Sequence, residues 1–444
     1  MVQQGWLVWC GERYEVAGVT GKKKKLLIVG NGMAAGRLLD ELIKRDVSGF
    51  EVTVIGDERQ GSYNRIMLSP VLAGETDVPA IIGKPSSWYR DRGIRFVSGV
   101  QVKAVERERK CVLTSEGNRL RYDHLILAVG SRPAKIPAEN QQLNNIYSFR
   151  TLRDVDRLLN VARFHDRQSR KTDTDALVIG GGLLGLEAAY GLALKGLRVT
   201  LVHRSGWLLN RQLDKTAGGY LQRVLEEKNI RFILNDEVAR FSGSHELKSA
   251  ELKSGQSLSC KLCVIATGIT PNKELGLAAG LKGARGVAVN PYMATSDEDI
   301  SAIGECVEFK GETFGLVEPI WQQCITLAER LCNNIKLPFE NTPVPTKLKV
   351  SGVNLFSAGD FITTDEHREL VYRDDKAGIY RKLLLRDNRI VGAVLFGDAR
   401  DGQDYFTMLS EKKDVSKIAP FLLMGRAFYQ DSDQQQDSDG AVAA

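Results

Sequence analysis

No apolar run among the 444 residues approaches the roughly 18 needed for a membrane-spanning helix, and the start of the chain lacks a clean signal peptide. Trp6 to Cys10 is apolar but too short, and the basic run Lys22 to Lys25 follows it rather than preceding it, so a cytoplasmic protein is expected. Charge of one sign is scarce. Sixty-one basic against 55 acidic residues leave +6, too little at this length to demand nucleic acid, and the four lysines read as a solvated N-terminal arm. The seven cysteines are odd in number and lack disulfide-framework spacing, which fits a reducing compartment. Cys260-Lys261-Leu262-Cys263 is the nearest thing to a redox pair. It sits in an apolar run read as a strand, where residues three apart face opposite sides, so a disulfide or shared metal is not expected there. The five histidines are scattered without ligand spacing, and no metal site is expected.

Hydrophobic residues, by contrast, make up 43% of the chain, enough for cores in two or three domains. Glycine is placed with purpose. Two fingerprints, Val29-Gly30-Asn31-Gly32-Met33-Ala34-Ala35 and Ile179-Gly180-Gly181-Gly182-Leu183-Leu184-Gly185, stand about 150 residues apart. Each follows a short apolar strand (Leu26 to Val29; Ala176 to Ile179), leads into a helix-period segment (Arg37 to Lys44; Glu187 to Lys195), and precedes a second strand (Glu51 to Ile55; Arg198 to Val202). In that context the first glycine permits a sharp turn and the second lets a pyrophosphate approach the backbone. The third small residue, Ala35 or Gly185, lets helix and strand pack closely. The phosphates then meet the unsatisfied N–H groups and positive dipole end of a helix. Two such units in one chain point to hydride passing between two dinucleotides.

Leu125 to Pro133 reads as a strand followed by a glycine turn, and Ala266-Thr267-Gly268 closes the second unit in the same way. The chain then returns to a strand and a glycine-acid turn, Ile300 to Glu305. Beyond Pro343 and Pro345 the texture changes: Leu348 to Ala358, Tyr380 to Leu385 and Ile390 to Phe396 read as strands, with Arg386-Asp387-Asn388 as a hairpin turn. The tail from Asp431 is rich in Asp, Gln and Ser, a disordered composition.

These motifs resemble the two-dinucleotide flavoprotein reductases, in which an FAD domain is interrupted by an NAD(P)H domain. Ser62 to Ser69, Val202-His203-Arg204, Arg211-Gln212-Leu213-Asp214 and Val350 to Asp360 are similar to the N-terminal flavoprotein half of assimilatory NAD(P)H nitrite reductase large subunits, with rubredoxin and ferredoxin reductases as near relatives. The resemblance covers residues 26–429. It implies an α/β fold of two Rossmann-like domains plus a C-terminal, mostly β, α+β domain. The expected division is an extension (1–25), the opening segment of the FAD domain (26–140), the NAD(P)H domain (141–266), the closing segment of the FAD domain (267–343), an interface domain (344–429) and a tail (430–444). Disulfide reductases of this superfamily carry a cysteine pair on the helix after the first glycine turn, and its peroxidases carry a cysteine after the second strand. Here Met33 to Glu41 and Ser62 to Ser69 contain none, so electrons are expected to leave the flavin for an outside acceptor. The relatives continue into iron–sulfur and sirohaem modules, so nitrite reduction would need a partner.

The resemblance assigns roles residue by residue. Gly30, Gly32 and Ala35 would meet the FAD pyrophosphate, and Asp57, with Glu58 as a near substitute, the ribose. Arg132 would pack along FAD, and Glu305 stands where relatives have an aspartate contacting the ribityl chain. Val317 opens a helix, running to about Asn333, whose N-terminus would face the flavin pyrimidine edge. Pro70 occupies the place of a family lysine, and Arg65 is the replacement cation, a catalytic candidate together with Glu187 at the nicotinamide end of the pocket. Gly180, Gly182, Gly185 and Gly268 would frame NAD(P)H. His203 and Arg204 replace the acid usual for the 2′-hydroxyl, which favours NADPH, although relatives with a histidine here often use NADH. A nicotinamide delivers two electrons as hydride and a flavin can release them singly, which suits an iron–sulfur or haem acceptor. An NAD(P)H oxidoreductase serving nitrate or nitrite assimilation, a rubredoxin or ferredoxin reductase, and a non-catalytic flavin-binding sensor all stay open. So does association with a second copy.

Overall fold

The computed structural model describes residues 8–9, 12–13, 23–168, 175–350 and 352–429. The tail expected to be disordered, and most of the N-terminal extension, lie outside them. Two of the four lysines belong to the fold: strand β1 runs Lys24–Val29, with Lys24 exposed and Leu26 to Val29 buried. The exposed end of a central strand tolerates lysine because its charged head stays in water while the following side chains enter the core. Each of those four apolar side chains contributes about 1.5–3 kcal/mol of burial.

From β1 the chain turns through Gly30 into α1 (Met33–Lys44), then forms β2 (Phe50–Gly56), the short α2 (Leu68–Ala73), β3 (Arg95–Ser98) and β4 (His124–Leu127). It crosses next to β5 (Ile146–Ser148) and α3 (Leu152–Gln168), then β6 (Asp175–Ile179), α4 (Leu183–Leu194), β7 (Arg198–His203), α5 (Lys215–Glu226), β8 (Ile230–Leu234) and β9 (Leu262–Ile265). Strand β10 (Ile300–Ala302) follows, and α6 (Val317–Ala328) continues as a π-helical turn over Glu329–Asn333. Both glycine-turn helices begin four residues ahead of the segments legible from periodicity, because their first turns are built of small or uniformly apolar residues that carry no amphipathic signal.

Two parallel five-stranded sheets result, of the same plan. The first has order β10-β4-β1-β2-β3 and the second β5-β9-β6-β7-β8. In each, the strand before the glycine turn is central and pairs in parallel with the strand on either side. Strand β10, made after the whole second sheet, returns to pair Ile300 with Leu125 of β4, so the first unit is assembled from both sides of the second. An antiparallel ribbon, Ser131–Pro133 against Ile269–Pro271, ties the two crossings together.

The remaining large sheet is antiparallel, order β11-β12-β15-β14-β13, with β11 Thr346–Val350, β12 Val353–Gly359, β13 Arg368–Asp374, β14 Ile379–Arg386 and β15 Arg389–Phe396, followed by α7 (Gly402–Ser410). The stretch from Leu348 to Ala358, expected as one strand, is a hairpin: Val350 pairs with Val353, and Gly352 takes φ +92°. The β14–β15 turn is tight, with Asp387 and Asn388 both in the left-handed region, the conformation a two-residue hairpin loop requires. This sheet packs on the second parallel-sheet unit: Leu355, Tyr380, Val394 and Phe396 share a core with Leu221 and Leu225 of α5. Cys260 and Cys263 correct another expectation. Strand β9 begins only at Leu262, so Cys260 lies ahead of it and both thiols enter the same apolar cluster with Phe241 and Leu252. Neither forms a disulfide, and full burial raises the pKa of Cys263.

Candidate cofactor sites and the seam between them

The two glycine turns are cradles in which a side chain has no room on one side and free space on the other. Gly30 has φ +105° and Gly180 φ +118°, and a Cβ there would come within 2.1 Å of the Ala128 carbonyl and 2.4 Å of the Ala266 carbonyl. A Cβ on Gly185 would lie 1.9 Å from the Gly180 carbonyl, whereas the equivalent Ala35 is accommodated fully buried. By contrast, Cβ atoms on Gly32 and Gly182 would meet no protein atom within 4 Å. These glycines cap α1 and α4 in extended conformation with no side-chain capping bond, leaving first-turn N–H groups for a ligand. Space kept at the N-terminus of a helix, beside a turn that tolerates only glycine, fits a pyrophosphate.

Beneath each turn the packing is reversed. At the end of β2 stands Gly56, and the volume above it is filled by Asn31 of the turn; a Cβ on Gly56 would meet the Asn31 Cβ at 2.9 Å. At the end of β7 stands His203, and the turn offers Gly181, whose Cβ would meet the imidazole at 2.7 Å. The Gly181 N–H donates to His203 Nδ1 (3.1 Å), and Nε2 lies 3.2 Å from Asn210 Oδ1. Burial lowers the His203 pKa, which keeps the ring neutral and Nδ1 available as an acceptor. The structure thus turns His203 toward the loop backbone, while its neighbour Arg204 is exposed. Asn31 Oδ1 accepts from the Tyr89 hydroxyl at 2.7 Å.

Around the first cradle, Asp57 is exposed beyond β2, and Glu58 turns back to accept from Arg65 Nη2 (2.6 Å) and the Tyr63 hydroxyl (2.8 Å). Arg65 also lies over the Tyr63 ring and reaches the Arg150 carbonyl at 3.5 Å. Arg132 points outward into a two-point pair with Glu274 (2.6 and 2.9 Å). Glu305 follows Gly304 on the turn after β10 and accepts from Ser131 Oγ (2.9 Å) and from Arg150. Val317 is the first residue of α6, which has no side-chain N-cap bond. Gly268 has φ +121° and open space around it.

The two units meet where α2 packs on α4. There the Ser69 hydroxyl donates to Glu187 Oε2, and burial raises the Glu187 pKa against the smaller lowering effect of that bond. Two thiols flank the first cradle. Cys324 of α6 approaches the Ala34 carbonyl at 3.4 Å, and Cys306 lies two residues after Gly304. Both are fully buried; burial pushes Cys306 up to about 12 and Cys324 likewise upward, so each stays a thiol rather than a nucleophilic thiolate. Arg150, Asn31 and these thiols gave no sequence signal, since the groups they meet lie far off in the chain.

Comparison with known proteins agrees with this geometry. The family model described as pyridine nucleotide-disulphide oxidoreductase matches residues 24–327, and that of the rubredoxin NAD+ reductase C-terminal domain matches residues 343–413. A Bacillus subtilis protein named nitrite reductase [NAD(P)H] is 39% identical over 402 residues, 90% of this chain and 49% of that protein. An assimilatory nitrate reductase electron transfer subunit from the same organism is 37% identical over 395 residues, covering 89% and 50%. The chain therefore spans about half the length of these two relatives. The crystal structure of NADH:rubredoxin oxidoreductase from Clostridium acetobutylicum superposes with a TM-score of 0.73 at 25% identity, covering 89% of this chain and 97% of that one. Two cradles shaped for pyrophosphate, and a family match across both, establish that the chain belongs to the pyridine nucleotide-disulphide oxidoreductase family and is an FAD-binding, NAD(P)H-dependent oxidoreductase.

Proposed function

We propose that this chain draws electrons from NAD(P)H and passes them through FAD to a separate iron–sulfur or haem protein, as the flavoprotein component of assimilatory nitrate or nitrite reduction. The observation that carries the reading is the Ser69–Glu187 seam, which brings the helix of the second glycine turn against the first unit. When bound, the nicotinamide supplies a hydride and the flavin divides the electron pair for a one-electron acceptor. The chain's own residues bind and orient. The N–H groups of the first turns of α1 and α4 hold phosphate oxygens, and Gly32 and Gly182 let them approach. Asp57 is placed to take a ribose hydroxyl, and the N-terminus of α6 at Val317 presents N–H groups and a positive dipole end to the flavin ring. Glu187, whose burial raises its pKa above that of an exposed glutamate, shapes the nicotinamide end. Arg65 and Arg132 border the flavin site through their pairs with Glu58 and Glu274. Arg204, exposed and without an acid partner among the described residues, is placed to receive a 2′-phosphate, which favours NADPH. Among the described residues no helix is long and apolar enough to cross a membrane; a cytoplasmic location is part of the proposal.

A rubredoxin- or ferredoxin-type acceptor is the second reading, favoured by the match to nearly the whole NADH:rubredoxin oxidoreductase fold. The test is to purify the chain, record a flavin spectrum, and titrate with NADH and NADPH separately. Reoxidation is then followed with a sirohaem nitrite reductase domain and with rubredoxin in parallel. Bleaching without reoxidation by either protein defeats both acceptor readings; a colourless protein that takes up no FAD defeats the assignment altogether.

A further inference from the structure

An arginine in the crossing between β5 and α3 reaches out of one unit and into the other. The Arg150 backbone N–H is fixed by Asp154 Oδ2 at 3.0 Å, which also accepts from Thr151 N–H (3.0 Å) and Ser148 Oγ (3.1 Å). From that anchor the guanidinium spans to the first unit: Nε donates to the Ser131 carbonyl at 3.0 Å, and Nη2 pairs with Glu305. Glu305 takes a second bond from Ser131 Oγ. The two side chains are 13% and 19% exposed, so the pair is largely shielded from solvent. Its location matters as much as its burial. A Cβ on Gly304 would stand 3.0 Å from the Ala34 Cβ at the start of α1, and one on Gly130 would lie 3.9 Å from Glu305 Oε2. Glu305 therefore sits at the carboxyl ends of β4 and β10 beside the first glycine turn, the edge where an open parallel sheet takes its ligand.

We propose that Arg150 is a positioning residue that sets the redox balance of the bound flavin: it carries a countercharge from the nicotinamide unit to Glu305 and cancels a carboxylate that would otherwise oppose negative charge on the reduced ring. This rests on FAD occupying the first cradle. In a partly shielded site, unit charges several ångströms apart interact strongly enough to move an equilibrium by about tenfold. An uncompensated Glu305 disfavours the reduced, anionic flavin by an amount of that order. Because Arg150 is rooted beside α3 and Glu305 beside β10, the compensation holds only while the two units are seated together. A simple latch would also join the units, but it would contribute stability and leave the flavin equilibrium alone.

Removing the two charges singly and together separates these roles. R150Q, E305Q and the double variant R150Q/E305Q are loaded with FAD, occupancy is verified by fluorescence, and the ratio of reduced to oxidised flavin is read at equilibrium with a reference dye. The ratio should fall about tenfold in R150Q, rise in E305Q, and return to within about twofold of the unsubstituted protein in the double variant. R150K, which keeps the charge, should stay near the starting ratio, and with E305Q it decides the matter if R150Q does not fold. A lowered melting temperature with the ratio unchanged in R150Q and E305Q, or a double variant that shows no restoration, overturns the proposal. Failure of the unsubstituted chain to retain FAD would instead overturn the flavin assignment on which it stands.

Discussion

Glu187 shows how one carboxylate reports on the seam. Its pKa is raised in the folded chain because burial penalises the ionised form more than the Ser69 hydroxyl favours it. The folded state thus binds this proton more tightly than the unfolded state does, so the contribution to stability is full below the ordinary glutamate pKa and is lost as pH rises through the elevated folded value. Glu187→Gln keeps a neutral partner for Ser69 at every pH. Melting curves between about pH 4 and 8 should show the substituted protein gaining stability relative to the unsubstituted one as pH increases; parallel curves would refute the assignment. His203 is held neutral by the same cause acting on the opposite charge type, since burial disfavours its cation. The sequence named both residues, yet it named His203 for the cofactor, whereas the fold gives its Nδ1 to the Gly181 N–H. What hid this was the exchange of bulk between turn and strand end, Asn31 over Gly56 in one unit and His203 over Gly181 in the other. Neither half of such an exchange is visible without the partner opposite it.

At the level of elements, the glycine turns divide into positions that the protein itself forbids to a side chain and positions left open for something else. Gly182→Ala tests the second kind. With φ −83° and no protein atom within 4 Å of the new methyl, the chain should melt at the same or a slightly higher temperature, because alanine restricts the unfolded state. NAD(P)H affinity should nevertheless fall at least about tenfold, since the methyl occupies the pyrophosphate approach, with FAD content retained; calorimetric titration of the FAD-loaded protein checks it. Gly180→Ala, clashing with the Ala266 carbonyl, should lose both stability and nicotinamide binding. These turns were legible in the sequence because three physical demands, a sharp bend, a close ligand and a close helix, fall on neighbouring residues in a fixed order. The antiparallel sheet was legible only in part. Strands β14 and β15 stand out as apolar runs around Asp387-Asn388, but β13 is an edge strand with polar residues on both faces and no alternation to read. The β11–β12 hairpin hides in an unbroken β-forming stretch whose turn is marked by Gly352 alone.

Across the whole molecule, the antiparallel domain is fastened to the second parallel-sheet unit by a buried polar knot. Asp214 caps α5 through the Ala217 N–H (2.9 Å) with one oxygen. With the other it accepts from the Tyr380 hydroxyl (2.7 Å) and Lys382 Nζ (3.1 Å). Lys382, 5% exposed, also reaches Glu369 at 3.2 Å and the Phe361 carbonyl at 3.3 Å. Removing one partner from such a group leaves a buried charge uncompensated, so Lys382→Met should destabilise the protein by about 3–5 kcal/mol. Differential scanning calorimetry should show an early transition for the antiparallel domain separating from the rest. A single unshifted transition would mean that apolar contact with α5 alone holds the domain.

The return of β10 to the first sheet also governs how this protein can be born. The second parallel sheet, from Ile146 to Ile265, is continuous in the chain and can close as soon as its last strand leaves the ribosome. The first sheet must keep β4 as a raw edge until residue 300 has been made, although its other four strands were made long before. During that interval β4 exposes an unpaired row of backbone N–H and carbonyl groups, a surface open to mispairing with another nascent chain. Of the two parallel-sheet units, the one that starts first is thus the one that finishes last, closing only after its neighbour can already stand.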